Sequence, residues 1–379
     1  IQIGLDIIQN NIQDLKNKKI GIIANHTSLD SKNQTIVDIM LNNKIDVIRI
    51  FAPEHGYLGH YQAGQKFQNS KDLLTDIEIV SLYGKNKSPQ DKHLNDLDIL
   101  IFDIQDIGVR YYTYVSTMIL AMEKAAENDV QFVVLDRPNP LSGKIVQGST
   151  LNKDYSSFVG MLPIPVRHGM TIGEIALFVK NNNLIESANE LNLKVVKMIN
   201  WNRLDWHDSY WDKWTPPSPN IPNRLNALIY VGACLLEGTN VSEGRGTEDP
   251  FILFGAPWID SQSLVKNLNN KNLKGIYFVS ESFIPNKSKY SGLKCNGLRI
   301  NIIDEEVINP FTVGMHIINE IYKKHPNHFE FKADFFDKLY GSDELRLAIL
   351  KQNNLNNLIE KNDKDIERFV QLRTKALLY

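Results

Sequence analysis

The sequence predicts an α/β fold, with a mainly parallel sheet in the first two thirds of the chain and a smaller α+β domain after it. Short apolar runs alternate with helical patterns from residue 1 to about residue 245. The run from Leu97 to Phe102 is almost entirely apolar, which is typical of a strand buried on both faces of a parallel sheet. Polar residues follow this run and several others directly.

These apolar runs end in polar turns that we expect at one edge of the sheet. Besides 97–102, the predicted strands are 19–24, 46–52, 78–82, 130–135 and 164–166. Ligands of such sheets bind outside the carboxyl ends of the strands. We therefore expect a site at that edge, which places the following residues together: Asn25, Glu54, Asp103, Arg137 and His168.

Helical patterns separate the strands, and the second domain follows the last of them. The predicted helices are 33–43, 111–127, 171–182 and 224–237, and Thr171 and Glu174 fit a capping box. After a glycine-rich polar turn at 242–250, strands are predicted at 275–285 and 295–304 and helices at 311–324 and 363–377. We expect the domains to span residues 1–250 and 251–379, with the second domain walling one side of the cleft.

Residues 200–223 break the alternating pattern. Four of the five tryptophans lie here together with several prolines, which exclude a helix or a central strand. We predict an ordered loop over the site. Tryptophans in such a loop suit carbohydrate, whose C–H faces stack on aromatic rings. A small core beneath a long loop is the alternative.

Composition excludes several function classes. The chain has 379 residues, 42% hydrophobic and 23% charged, and a net charge of −2. Nothing in this balance favours nucleic acid or an anionic membrane as a partner, and no apolar run is long enough to span a membrane. No glycine motif for nucleotide phosphates is present, so no cofactor is expected, and the GxSxG elbow of serine hydrolases is also missing. Cys234 and Cys295 form no metal motif, and their pairing stays open.

Glu54 is the strongest candidate for catalysis. It lies between Pro53, which fixes φ, and His55-Gly56, where glycine permits an unusual backbone. A half-buried carboxyl held there can keep its proton near neutral pH and act as a general acid. A salt bridge at the sheet edge is the alternative interpretation.

Other acids and histidines complete the candidate set. Glu174 is the second acid, although its capping box alone explains it, and five more carboxylates remain available: Glu237, Glu243, Asp103, Asp106 and Asp136. Any two could form the carboxylate pair of glycoside hydrolysis. His26, His55 and His168 are proton shuttles, hydrogen-bond anchors or ligands, but their spacing matches no standard metal motif, so no metal is assigned.

Four arginines stand in the polar turns of a chain that otherwise prefers lysine: Arg110, Arg137, Arg167 and Arg245. Their placement indicates bidentate recognition of an anion. Arginine–carboxylate ties that brace the turns explain it equally well.

Together these stretches resemble a known family, the exo-β-N-acetylmuramidases of bacterial peptidoglycan recycling, formerly a domain-of-unknown-function family and now a glycoside hydrolase family. The resemblance runs in order along the chain through FAPEHG, DILIFDIQDIGVRYYTY, VVLDRPNP, IPVRHGMTIGE, PPSPNIP, SEGRGTEDPF and CNGLRI, and FDKLYGSDELR near the end is similar too.

The resemblance implies release of a terminal N-acetylmuramic acid from the non-reducing end of a peptidoglycan fragment. It also implies a Rossmann-like domain whose cleft is closed by the smaller domain. It further implies an exported protein, so we expect a signal peptide to be absent from the 379 residues of the chain. Glu54 matches the catalytic glutamate of PEHG. The lactyl carboxylate of the substrate would give the four arginines a partner.

We therefore assign catalysis to Glu54, Glu174 and His55. The expected substrate-binding residues are Asn25, His26, Asp103, Gln105, Arg110, Tyr112, Arg137, Asn139, Arg167, His168, Asn220, Glu243 and Arg245. Two other functions stay open: a sugar-binding protein without turnover, and a metal-dependent hydrolase or deacetylase of amino sugars.

Overall fold

A seven-stranded sheet forms the centre of the computed structural model, which describes residues 1–209 and 213–379. In spatial order its strands are β3 (Ser70–Lys71), β4 (Glu78–Ser81), β2 (Asp46–Ala52), β1 (Lys19–Ala24), β5 (Ile99–Asp103), β6 (Gln131–Leu135) and β9 (Leu193–Val196). All neighbours run parallel except β3, which is antiparallel to β4. The predicted mainly parallel α/β fold is confirmed.

Helices cover both faces of this sheet. On one face, α1 (Gly4–Asn10) and α2 (Ile36–Asn42) pack against the side chains of Ile99 and Ile101. On the other, α3 (Tyr114–Glu127) and α4 (Ile172–Asn181) pack against Leu100 and Phe102. Successive residues of a strand point to opposite faces, so the apolar run of β5 fills both cores.

The segment at 164–166 is not a strand of the large sheet, contrary to the prediction. It forms β8 (Pro165–Arg167), which pairs antiparallel with β7 (Gln147–Thr150) in a separate two-stranded sheet. Pro165 has no N–H to donate to a central ladder. The place beside β6 is taken by β9, a half-exposed strand that the sequence pattern did not reveal.

The C-terminal part is built around a three-stranded antiparallel sheet. It contains β10 (Leu253–Ala256), β12 (Cys295–Ile302) and β11 (Ile276–Phe283), with the helices α5 (Arg224–Ala233), α6 (Ser261–Asn269), α7 (Pro310–Lys324), α8 (Ala333–Tyr340) and α9 (Glu344–Leu350). Helix α5 ends four residues before the predicted 237 because residues 234–238 tighten into a 3₁₀ turn. One apolar core continues from the α3 face of the large sheet into this part.

The last helix returns to the large sheet domain. Helix α10 (Asn356–Arg373) begins before the predicted residue 363 and packs against β7. Beyond it, the Leu378 backbone N–H donates to Glu174 Oε1 at 2.8 Å, and the Tyr379 hydroxyl donates to Asp136 Oδ2 at 2.6 Å. None of the helices within the described residues is long and apolar enough to cross a membrane.

Candidate active site

A cleft of about 600 Å³ opens beyond the carboxyl end of β2 and the start of α3, and the C-terminal part forms its opposite wall. Such a volume is typical of a small-molecule site. Six of the residues predicted for catalysis or binding line it: Glu54, His55, Tyr112, Asn220, Glu243 and Arg245.

Glu54 is held in this cleft by the loop that follows it. The side chain is 8% exposed. Its Oε1 accepts a hydrogen bond from the backbone N–H of Gly64 at 3.0 Å, and its Oε2 accepts one from the Thr113 hydroxyl at 2.7 Å. Tyr83 lies on the same side, and burial, together with the charge of Glu54, raises the pKa of Tyr83. The carboxyl therefore has a fixed position with one of its oxygens on a hydroxyl.

His55 takes part in shaping this loop. Its φ is +72° and that of Gly56 is +75°, so two consecutive residues adopt the left-handed region that non-glycine residues rarely enter. The turn brings the Tyr61 carbonyl within 2.8 Å of His55 Nδ1, which donates to it. Burial lowers the pKa of His55, so the ring is neutral and Nε2 is the basic nitrogen.

Aromatic rings form the floor of the cleft. Tyr112 packs edge-to-face on Tyr114 at 4.9 Å between centroids, and Tyr230 packs edge-to-face on Phe251 at 4.7 Å. The Tyr111 hydroxyl donates to the Val231 carbonyl of α5, and the Tyr230 carbonyl lies 3.2 Å away. Apolar rings beside a buried carboxyl suit the C–H faces of a sugar.

The tryptophans of the 200–223 segment do not provide this surface in the described residues. Trp201 is 5% exposed and packs on Tyr379, and Trp206 lies beneath the guanidinium of Arg167 at 5.1 Å. Trp211 lies outside the described residues. The proline-rich end of the segment does reach the cleft, through Ser218, Asn220 and Ile221.

Alternating charges form the C-terminal wall. Arg245 donates to Glu237 at 2.7 Å and lies 3.3 Å from Glu243. Lys289 donates to Glu243 Oε2 at 2.9 Å and to the carbonyls of Leu236 and Val241 at 2.8 and 2.9 Å. Glu243 is 2% exposed and has a cation at each oxygen.

Three of the four predicted anion-binding arginines do not face this cleft. The guanidinium of Arg110 is buried and donates to four backbone carbonyls, those of Ser149, Ile164, Leu339 and Tyr340. Arg137 forms a bidentate pair with Asp103 at 2.6 and 2.9 Å. The buried Arg167 donates to Gln147 at 3.0 Å and to the Leu141 carbonyl. Of these three, only Arg137 forms an arginine–carboxylate tie, whereas Arg110 and Arg167 are held by backbone carbonyls and an amide oxygen. Of the four arginines, Arg245 alone lines the cleft.

Several other predicted binding residues brace the turns of the sheet edge. The amide oxygen of Asn25 accepts hydrogen bonds from the backbone N–H and the hydroxyl of Thr27. His26 Nε2 lies 2.7 Å from the Pro216 carbonyl, so the turn after β1 is connected to the proline-rich segment. Asn139 donates to the Met170 carbonyl at 3.0 Å. Within the described residues, none of these asparagine and histidine side chains lines the cleft.

Gln105 and Arg137 contribute instead to a second pocket of about 230 Å³. The amide of Gln105 donates to the carbonyls of Asp106 and Pro138 at 2.7 and 2.8 Å. The pocket also contains Asp30 and Trp214 and lies along the same sheet edge as the cleft. Of the five residues predicted at the sheet edge, Glu54 lines the cleft and Arg137 lines this second pocket, whereas Asn25, Asp103 and His168 line neither.

His168 does not lie on the sheet edge, because it follows β8 rather than a strand of the large sheet. It is fully buried, and burial lowers its pKa to about 3. Its Nδ1 accepts from the Met170 N–H at 3.2 Å, and its Nε2 is 4.0 Å from Asp106, whose pKa burial raises to about 7.

Glu174 is also placed away from the cleft. It completes the predicted capping box, with its Oε2 accepting from the Thr171 N–H at 3.0 Å. Its side chain is fully buried, pairs with Arg203 and accepts from Leu378. These contacts give Glu174 a structural function at the start of α4.

Among the cleft residues that were not predicted for the site, five carry polar groups that bear on its chemistry: Thr113, Tyr83, Lys287, Lys289 and Lys332. Thr113 directly follows Tyr111 and Tyr112, and this position is the only feature of the sequence that places it near the site. The lysines come from the β11–β12 connection and the start of α8, and in a lysine-rich chain nothing marks them. Cys234 and Cys295 are both buried and free. In the part of the chain that the structure describes, no three His, Cys, Asp or Glu side chains are grouped to hold a metal.

Comparisons with known proteins cover the whole chain. Family models described as the N-terminal and C-terminal domains of exo-β-N-acetylmuramidase NamZ match residues 20–225 and 228–379. The peptidoglycan β-N-acetylmuramidase NamZ of Bacillus subtilis is 41% identical over 384 residues, covering 100% of this chain and 91% of the relative.

Two solved structures of DUF1343 family proteins from Bacteroides fragilis are also similar. They superpose with TM-scores of 0.92 and 0.81 at 32% and 34% identity, and each comparison covers 100% of this chain and 98% of the other. The similarity therefore includes both walls of the cleft.

Proposed function

Because this chain belongs to the exo-β-N-acetylmuramidase NamZ family, we propose that it is a glycoside hydrolase that removes N-acetylmuramic acid from the non-reducing end of peptidoglycan fragments. The observation that carries the proposal is the buried carboxyl of Glu54 in an aromatic cleft of about 600 Å³. The volume suits a sugar of one or two rings.

Glu54 is the proposed general acid. Cleavage of a glycosidic bond requires a proton on the leaving oxygen. One oxygen of Glu54 is occupied by the Gly64 N–H, which can only donate. The other meets the hydroxyl of Thr113, which both donates and accepts. That oxygen can therefore hold a proton without leaving a buried group unpaired.

Glu243 is the proposed second carboxylate. It lies in the opposite wall, where Arg245 is 3.3 Å from one of its oxygens and Lys289 is 2.9 Å from the other. An ionised carboxylate stabilises the positive charge that develops on the sugar ring in the transition state. Neutral His55, with Nε2 as acceptor, is suited to binding a sugar hydroxyl or orienting water beside Glu54.

Release of chromophore from an aryl β-N-acetylmuramide tests the proposal. We expect the wild type to release the phenol and to cleave a disaccharide with N-acetylmuramic acid at its non-reducing end. Binding without any release would identify a sugar-binding protein instead. Loss of activity after prolonged chelation, with recovery on adding a divalent metal, would identify a metal-dependent hydrolase.

Action outside the cytoplasm is part of the proposal, because the polymer that supplies such fragments surrounds the cell. Fractionation of producing cells checks it. Recovery of the protein only from the cytoplasm would contradict export.

A further inference from the structure

The cleft contains more positive charge than its own carboxylates neutralise. Four cationic side chains line it: Arg245, Lys287, Lys289 and Lys332. Arg245 pairs with Glu237 and Glu243, and Lys289 pairs with Glu243. The Lys289 ammonium has four acceptors for its three N–H donors, the Glu243 carboxylate and the carbonyls of Leu236, Glu237 and Val241.

Lys287 and Lys332 are left without an anionic partner among the described residues. The ammonium of Lys287 donates at 2.7 Å to the amide oxygen of Gln62, a neutral acceptor on the opposite wall. Lys332 is exposed at the start of α8, and its ammonium has neither a hydrogen bond nor an ion pair with any described residue. Burial lowers the pKa of Lys289, and the nearby charge of Lys332 lowers it further.

The four arginines of the polar turns already have partners. Arg110, Arg137 and Arg167 are occupied outside the cleft, and Arg245 already serves two carboxylates. A ligand anion that enters this cleft therefore meets two lysine ammoniums that are free to pair. N-acetylmuramic acid carries one such anion, its lactyl carboxylate, which N-acetylglucosamine lacks.

We propose that Lys332 and Lys287 bind the lactyl carboxylate and so determine the preference of this cleft for muramic acid. The inference rests on the proposed function, and it gives that function a source of specificity in the C-terminal part of the chain. An ammonium–carboxylate contact formed on binding is charge-assisted, and its loss costs about tenfold to a hundredfold in affinity.

The test compares N-acetylmuramic acid with its lactyl methyl ester, which has the same ring without the charge. Binding of both to the full chain is measured by calorimetry for the wild type, Lys332→Met, Lys287→Met and the double variant. Methionine keeps most of the apolar stem. Lys364→Met, at an exposed position of α10, is the matched control. Thermal unfolding establishes that each variant is folded.

We expect the wild type and the control to bind the acid about tenfold to a hundredfold more tightly than the ester. The double variant should bind both equally, with affinity for the ester unchanged. A wild type without preference for the acid, or a double variant that keeps it, overturns the proposal. Turnover of the aryl muramide is scored separately, so a chain that binds the acid selectively without cleaving it refutes only the proposed function.

Discussion

Replacement of Glu54 by glutamine should remove the proton donor and leave its surroundings intact. The amide oxygen of glutamine can still accept from the Gly64 N–H, and its NH₂ group can donate to the Thr113 hydroxyl. Gly64 and Thr113 both keep a hydrogen bond to residue 54. The free energy of unfolding should therefore change by about 1 kcal/mol or less.

The chemical step should respond far more strongly. General acid catalysis contributes roughly 10²–10⁴-fold, so kcat on the natural disaccharide should fall by that factor. This corresponds to about 2.7–5.4 kcal/mol in the activation free energy. An aryl glycoside with an activated phenol needs less protonation, so its kcat should fall less.

Steady-state kinetics on both substrates measure the effect, with Glu190→Gln at an exposed position as the control. The ratio of the two losses matters most, because misfolding would lower both rates equally. Equal kcat for wild type and Glu54→Gln on the disaccharide would refute the assignment, and Glu243 would become the acid to test.

Three further variants separate structural from functional residues. Arg110→Lys offers three donors to four buried carbonyls, so urea unfolding should show a free energy of unfolding that is lower by about 1–3 kcal/mol. The preference for muramic acid over N-acetylglucosamine should be kept, and its loss would show that Arg110 contributes to the site. Glu174→Gln breaks the buried pair with Arg203 and should cost about 3–5 kcal/mol of stability with kcat unchanged, and a large fall in kcat in the folded variant would contradict that. Burial lowers the pKa of His168 to about 3, so its ring stays neutral in the folded protein, whereas in the unfolded chain it takes up a proton below its ordinary pKa of 6.5. The contribution of neutral His168 to the free energy of unfolding is therefore complete above pH 6.5 and is lost as the pH falls toward 3. Relative to His168→Gln, the wild type should therefore lose up to about 1.4 kcal/mol per pH unit between pH 6 and pH 4 in urea titrations; parallel pH profiles would exclude this, and the comparison cancels the opposite trend of Asp106.

The sequence was sufficient for the central strands of the main sheet and for the position of Glu54 in the cleft. Strands β1, β2, β5 and β6 contribute side chains to the cores on both faces of the sheet. Because both faces are buried, nearly every position of these strands must be apolar, and the sequence shows this as an apolar run. Strand β9 was missed because Leu193 and Val195 are only partly covered and alternate with polar residues. Strand β8 was assigned to the wrong sheet because three residues carry no information on their partner.

The functions of individual polar residues depended on contacts that the sequence does not contain. Arg110 and Arg245 stand in similar glycine-containing turns, yet only tertiary packing surrounds the first with carbonyls from residues 149 to 340. Lys332 is one lysine among many until the start of α8 brings it to the cleft. The sequence therefore predicted which segments are buried, but it did not predict which partner or which pocket each charged side chain faces.

The return of residues 356–379 to the large sheet domain has a consequence for the order of folding. Asp136 and Glu174, near the ends of β6 and α4, receive hydrogen bonds from Tyr379 and Leu378, more than 200 positions later. A growing chain can form the apolar centre of this sheet early, as domains do during synthesis. These two carboxyl groups, however, remain without those donors until residues 378 and 379 have left the ribosome. The large sheet domain is therefore completed by a segment that is synthesised long after its strands.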